Sequence, residues 1–211
     1  PLAAISGYCE LYSRGGVPPE RFEEVMGRIG SESARMATLV EDLLTLARLD
    51  EGRPLDITEI DLVKLADNAV FDLQALDPTR TVGLTGISGR TPPMTLIVPA
   101  DRDRISQVFT NLIGNIVRYT PDGSPVEIAL GRSGDTAIVE LRDHGPGIDE
   151  TDRGRVFERF YRADTSRNRR SGGSGLGLAI VSGILAAHRG NASPTKTKGG
   201  GLTVRIELPM T

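Results

Sequence analysis

Over the first fifty residues the apolar positions recur every three or four places. Leu2, Ile5, Cys9 and Tyr12 fall at helical spacing, and Pro1 is tolerated in a first turn, where its missing N–H has no partner to lose. The stretch RGGVPPE interrupts the pattern: Gly15 and Gly16 stop one helix and Pro19 starts another. From there to Leu49, Phe22, Val25, Ile29, Met36, Leu39, Leu43 and Leu46 alternate three and four apart, with Glu32 the one polar residue in that register. This is a heptad stripe over about thirty residues. A lone helical hairpin cannot bury such a stripe. Either a second copy completes a four-helix bundle, which is the favoured solution, or the stripe packs on the rest of the chain.

After the linker DEGRP, ending at Pro54, the pattern becomes mixed. A helix follows Asp61 and carries Leu62, Leu65, Ala69 and Leu73. A strand TLIVPA leads to a second helix capped by Asp101, with Ile105, Val108, Leu112, Ile113 and Ile116 apolar. VEIALGR and AIVELRD flank Ser133-Gly134-Asp135 as a hairpin. A helix from Leu176 to His188 and a strand LTVRIELP close the chain. The pattern predicts an α+β class: residues 1–54 form a helical hairpin, and residues 55–211 form a two-layer α/β sandwich on a mixed, mostly antiparallel sheet.

Composition narrows the picture only a little. The chain has 211 residues, 38% hydrophobic and 25% charged, with a net charge of −3, so no global attraction to nucleic acid or to an anionic membrane is implied. The single cysteine excludes an internal disulfide and a cysteine-based zinc site. No apolar run approaches the roughly 18 residues of a membrane span.

Candidate chemistry lies in three clusters of the second region. In RDHGPGI a strand ends on Asp143, and Gly145 and Gly147 let the backbone turn sharply or come close to a ligand. In SGGSGLGLAIV, glycines 172, 173, 175 and 177 precede a helix whose first N–H groups can hold an anion; neither a P-loop nor a dinucleotide fingerprint fits, and a plain loop stays open on this cluster alone. In NLIGNIVRYTP, Asn111, Asn115 and Arg118 share one helix face, which is either solvated or a set of hard ligands suited to Mg²⁺.

The three clusters in this order, with VFERFYRAD between the last two, resemble the ATP-binding domain of sensor histidine kinases, in the superfamily shared with gyrase-type ATPases. The motifs match that family's N, G1, F and G2 boxes. The resemblance implies that Mg²⁺ is held through the Asn115 amide oxygen, with Asn111 in support and Arg118 near the phosphates. It implies that Tyr119 stacks on adenine and that Asp143 accepts the adenine amine. Gly145, Gly147 and Ile148 admit the ring, and Arg162 is a γ-phosphate contact. Gly173, Gly175, Leu176 and Gly177 bring a lid and a helix to the triphosphate. Phe157 and Phe160 are expected to pack the lid base, and Arg167, Arg169 and Arg170 to form a charged loop rather than phosphate ligands. Two departures stand out. Leu202 takes the place of a common small hydroxyl residue, which puts an adenine-side hydrogen bond there in doubt. Arg189 takes the place of a glycine, leaving His188 as a helix C-terminal residue.

Relatives that hydrolyse ATP carry a glutamate base one turn before the metal asparagine. Here that position is Asn111, whose amide cannot take a proton, so the resemblance implies phosphoryl transfer to a protein side chain. Family hairpins carry the acceptor in a His-Glu-x-x-Arg/Thr-Pro pattern, and PLAAISGYCEL resembles the segment that begins at the proline of that pattern. The chain is thus expected to start one turn past the acceptor, and histidine occurs only at 144 and 188. The implied partners are a second copy, through the hairpin, and a response-regulator receiver domain. Neither nucleic acid nor direct membrane contact is implied. The implied parent is a membrane sensor with this part in the cytoplasm. A non-catalytic ATP-binding module, or a kinase of another protein target, is the alternative.

Overall fold

The computed structural model describes residues 1–89, 91–162 and 173–211. The chain divides into two compact units, Pro1–Ala47 and Arg48–Thr211.

The first unit is helical. α1 (Leu2–Ser13) and α2 (Phe22–Asp50) are joined through a turn that includes a single 3₁₀ turn, Pro19–Arg21. Gly15 sits at φ +70°, a conformation glycine adopts without a steric penalty. The Tyr12 and Phe22 rings lie 5.6 Å apart across the turn, and Arg28 donates to the Tyr8 hydroxyl at 3.1 Å. Of the heptad stripe, Val25 and Leu46 are buried, and Ile29, Met36 and Leu39 are half-buried. Phe22 and Leu43 remain exposed. So do Met26, Val40 and Leu44, a second apolar row on α2.

In the second unit, five strands form one sheet in the order β2-β4-β5-β7-β6, and β1 (Ile57–Asp61) pairs with β3 (Ile97–Asp101) in a separate two-stranded ribbon. In the larger sheet β2 (Val82–Gly86) runs parallel to β4 (Val126–Ser133), and every other pairing is antiparallel. β4 and β5 (Thr136–Asp143) meet in the expected hairpin, with Gly134 at φ +58°. β6 (Asn191–Lys196) and β7 (Leu202–Pro209) complete the sheet. The helices α3 (Leu62–Leu76), α4 (Arg102–Tyr119) and α6 (Gly177–Ala187) pack on one another and on this sheet; the one-turn α5 (Glu150–Arg153) comes after β5. Between the layers lies an apolar core including Leu73, Leu112, Ile128, Leu141, Ile180 and Ile184, each at most 2% exposed.

Side-chain caps fix where two helices begin. Asp61 accepts from the Val63 N–H (3.1 Å), and Asp101 from the Arg104 N–H (3.2 Å). At the end of α6, buried His188 acts as a pin. Its Nε2 accepts from the Asp101 N–H at 3.0 Å, so Nδ1 carries the proton and donates to the Ile184 carbonyl at 2.7 Å. Arg189 then takes φ +58°, and Gly190 comes next, where a Cβ would stand 2.4 Å from the Glu207 carbonyl oxygen. The helix thus exits through a left-handed arginine. Among the described residues no helix is long and apolar enough to cross a membrane.

Candidate functional site

Four segments of the second unit converge: the C-terminal half of α4, the turn after β5, the segment 156–161 and the N-terminus of α6. On α4, Asn111 and Asn115 point toward Gly177. A Cβ on Gly177 would lie 3.9 Å from both Asn115 amide atoms and 4.0 Å from Asn111 Cγ. Among the described residues, Asn111 Nδ2 is buried with no hydrogen-bond partner. A buried orphan donor costs about 1–3 kcal/mol, so the site holds polar capacity that the protein alone does not use. α6 starts without a side-chain cap, and its first N–H groups have no intrahelical acceptor. Amide oxygens, free backbone N–H groups and a helix dipole thus meet at one point, a combination suited to phosphate oxygens and a hard cation. No cluster of three His, Cys, Asp or Glu among the described residues could hold a metal by itself.

One turn further along, Arg118 and Tyr119 lie beneath Gly173. A Cβ there would stand 2.7 Å from the Tyr119 hydroxyl and 2.8 Å from Arg118 Nη1. Gly175 sits at φ +72° against the 156–161 segment: the Phe160 N–H donates to its carbonyl at 3.0 Å, and a Cβ would meet the Phe160 carbonyl carbon at 2.9 Å. Phe160 itself is left-handed at φ +61°, and its ring is exposed rather than packed. Tyr161 anchors the same segment by donating to Asp152 at 2.6 Å, with the Arg155 guanidinium 4.4 Å above its ring. Leu176 is fully buried, so it can offer a ligand only backbone, and its N–H already donates to Ser174 Oγ at 3.2 Å. Arg162 is exposed. Gly172, Arg167, Arg169 and Arg170 lie outside the described residues.

The other wall is built around Asp143, 8% exposed at the end of β5. Its Oδ1 accepts the Gly145 N–H (2.9 Å) and the Leu202 N–H (3.1 Å). Both bonds fall on one oxygen, which fixes the carboxylate plane and leaves Oδ2 to face a donor. Gly145 fits against Thr120, whose methyl would be 2.7 Å from an added Cβ; Gly147, at φ +72°, fits against Gly201, whose carbonyl oxygen would be 3.0 Å away. Ile148 is half-buried beside this turn. His144 points elsewhere: its Nε2 lies 3.3 Å from Glu127. Burial alone would raise the Glu127 carboxyl, but hydrogen bonds from Arg142 and His144 outweigh it and hold the group below its ordinary value.

Three contributors carry no motif in the sequence. Gly201, at φ +101°, presses on Asp143 so closely that a Cβ would fall 2.0 Å from the Asp143 carbonyl oxygen; three consecutive glycines before β7 are its only visible signal. Thr120 has no signature of its own. The Leu202 position contributes through its backbone, and the hydroxyl missing there is present one residue later, where buried Thr203 pairs with Thr197 at 2.8 Å.

Comparison with known proteins fits this geometry. The family described as Histidine kinase-, DNA gyrase B-, and HSP90-like ATPase matches residues 100–211, and the His Kinase A (phospho-acceptor) domain matches residues 1–52. This chain belongs to the sensor histidine kinases. Like other kinases of this family it joins a helical hairpin to an α/β domain with a mixed sheet. It is 43% identical over 199 residues to the probable sensor histidine kinase TcrY of Mycobacterium tuberculosis, covering 94% of this chain and 41% of that protein. The chain therefore spans less than half of that relative's length. Among solved structures, full-length ShkA in complex with AMPPNP superposes with a TM-score of 0.75 at 26% identity, covering 92% of this chain and 40% of that one. The histidine kinase ThkA in complex with the response regulator protein TrrA superposes at 0.77 and 22% identity, covering all of this chain and 57% of that one.

Proposed function

We propose that this kinase core binds Mg²⁺–ATP in the groove between α4, the Asp143 turn and the α6 N-terminus, and transfers the γ-phosphoryl group to a histidine on a dimerisation hairpin. The carrying observation is the meeting of Asn111, Asn115 and Gly177, with an unsatisfied amide donor buried beside an uncapped helix end. The donor set fits a hard cation that shares its coordination with phosphates and water, and Asn115 would hold it. Once bound, Mg²⁺ supplies charge neutralisation on the phosphates. The protein's own groups do the rest. Asp143 Oδ2 accepts from the exocyclic amine of adenine. Gly145 and Gly147 leave room for the ring, and Tyr119 stacks against it. The α6 N–H groups, with Arg118 and Arg162, offset the charge of the phosphates. No carboxylate stands at position 111 to take a proton from water, so positioning toward a protein acceptor is favoured over hydrolysis.

The exposed apolar rows of α2 support a second copy as the hairpin's partner, and a receiver-domain aspartate as the next phosphoryl acceptor is the expectation for the kinase family. ShkA is solved with AMPPNP and ThkA with a response regulator, which accords with a nucleotide site and with a receiver-domain partner. Within these 211 residues, neither histidine is on the hairpin: the His188 nitrogens are both engaged in the core, and His144 pairs with Glu127. Incubation with γ-labelled ATP is the test. This chain should acquire no acid-labile phosphate alone, and should label a hairpin that carries a histidine when supplied in trans. Acid-labile label on His144 or His188, or no transfer to any added hairpin, would contradict the proposal.

A further inference from the structure

We propose that Arg80, in the turn between α3 and β2, is a positioning residue for the base end of the nucleotide site, a role that rests on the nucleotide-binding reading of the Asp143 groove. Its position in a turn gives no hint of this, since a turn arginine is ordinarily solvated. Here it is 3% exposed and uses all three nitrogens. Nε donates to Asp77 at 3.1 Å, Nη1 to Thr120 Oγ1 at 2.8 Å and to the Ser124 carbonyl at 2.9 Å, and Nη2 to the Pro121 carbonyl at 3.2 Å. Asp77 closes the other side. It accepts from the Thr79 hydroxyl (2.6 Å) and N–H (3.2 Å), and across the gap from the Gly123 N–H (3.0 Å).

Two turns distant in sequence, 77–80 and 120–124, are thereby bolted into one unit. The second is the exit of α4. Thr120 directly follows Tyr119, returns its hydroxyl to the Ile116 carbonyl at 2.7 Å, and turns its methyl onto Gly145. Gly145 in turn donates to Asp143 Oδ1. The chain of contacts Arg80, Thr120, Gly145, Asp143 sets the separation between the end of α4 and the carboxylate, which is the slot that adenine must enter. A buried guanidinium does this better than an apolar side chain would. Its planar fork fixes four acceptors at once, whereas a lysine offers one compact charge on a flexible stem.

Calorimetric titration of the full chain with Mg²⁺–ATP and with ADP, well below each variant's melting temperature, tests the role. Arg80→Lys should weaken both nucleotides by the same factor, about tenfold, the weight of one well-placed hydrogen bond, with unchanged stoichiometry. Equal loss for ATP and ADP places the defect at the base rather than at the γ-phosphate. Thr120→Ser keeps the acceptor of Arg80 but deletes the methyl facing Gly145. It should weaken both nucleotides about threefold alone, and by less when added to Arg80→Lys, because the two changes disturb one linkage. An affinity for folded Arg80→Lys within twofold of the parent overturns the role. So does a loss that appears only as reduced stoichiometry. If Arg80→Lys does not fold, Thr120→Ser decides, and an unchanged affinity there overturns it. No binding by the parent chain overturns the nucleotide reading and this role with it.

Discussion

Gly201→Ala is the substitution for which the structure sets the firmest expectation. At φ +101° the backbone is in a region that side-chain-bearing residues adopt at a cost of about 1–3 kcal/mol. Strain is the smaller part. The new Cβ would stand 2.0 Å from the Asp143 carbonyl oxygen, 2.7 Å from its carbon and 2.9 Å from Oδ1. A tolerable C···O approach is about 3.3 Å, so β7's entry must retreat from Asp143 by roughly 1.3 Å. All three obstacles belong to one residue and two are backbone, so no rotamer change relieves them. The retreat breaks the 3.1 Å bond from the Leu202 N–H to Asp143 Oδ1, a charge-assisted bond of about 1.5–3 kcal/mol. With the carboxylate no longer held in plane, about 2 kcal/mol of nucleotide affinity should go, roughly a thirtyfold rise in Kd. Gly199→Ala is the control: at φ +92° it bears similar strain but meets no atom within 4 Å. Isothermal calorimetry with Mg²⁺–ATP should find Gly199→Ala close to the parent and Gly201→Ala about thirtyfold weaker. Equal affinity for the parent and a folded Gly201→Ala would refute the account of Asp143's positioning.

Two further outcomes concern other parts of the molecule. The Thr79 hydroxyl, and after it the Gly123 N–H, hold the Asp77 carboxyl at about 2, below its ordinary 3.8; the folded state therefore binds this proton more weakly than the unfolded one, and Asp77's contribution is complete above roughly pH 4 and lost as pH falls through about 2. Urea midpoints measured between pH 5 and 2 should converge for the parent and Asp77→Asn as pH drops, whereas parallel lines would exclude this linkage. On the hairpin, Leu43 is exposed within one chain, so Leu43→Asp should leave the monomer folded and weaken self-association at least tenfold, the equivalent of about 1.5 kcal/mol of lost apolar burial, as read by sedimentation equilibrium; an unchanged association constant would remove α2 from the interface.

Much of this was legible because the chain's periodicities are strong where the core is. The α4 register of Ile105, Val108, Leu112 and Ile116 sets Asn111 and Asn115 together along one flank of the apolar stripe, and the structure brings both to Gly177. Asp61 and Asp101 announced helix starts, and both cap them. Three strands carry no such periodicity. β1, ITEID, has only a five-residue partner in a separate ribbon; β2, VGLTG, is rich in glycine; β6, NASPTK, is a polar edge strand whose Pro194 argues locally against a strand. Their pairing is decided by the neighbours they complete, not by their own alternation. The same holds for the site. The residues proposed to touch a ligand carry a signature of type and spacing, whereas Gly201, Thr120 and Arg80 make their close approaches across 58, 25 and 40 residues of chain, to Asp143, Gly145 and Thr120 respectively, which no local pattern records.

The central claim is that the groove around Asp143 and Asn115 takes Mg²⁺–ATP, and titration calorimetry of the parent, Asp143→Asn and Asn115→Asp tests it most directly. The account predicts a single Mg²⁺-dependent site in the parent. Asp143→Asn should lose its preference for ATP over GTP, and Asn115→Asp should show an altered Mg²⁺ dependence. Absence of ATP binding by the folded parent, or binding that Asp143→Asn leaves unchanged in both affinity and base preference, would contradict it.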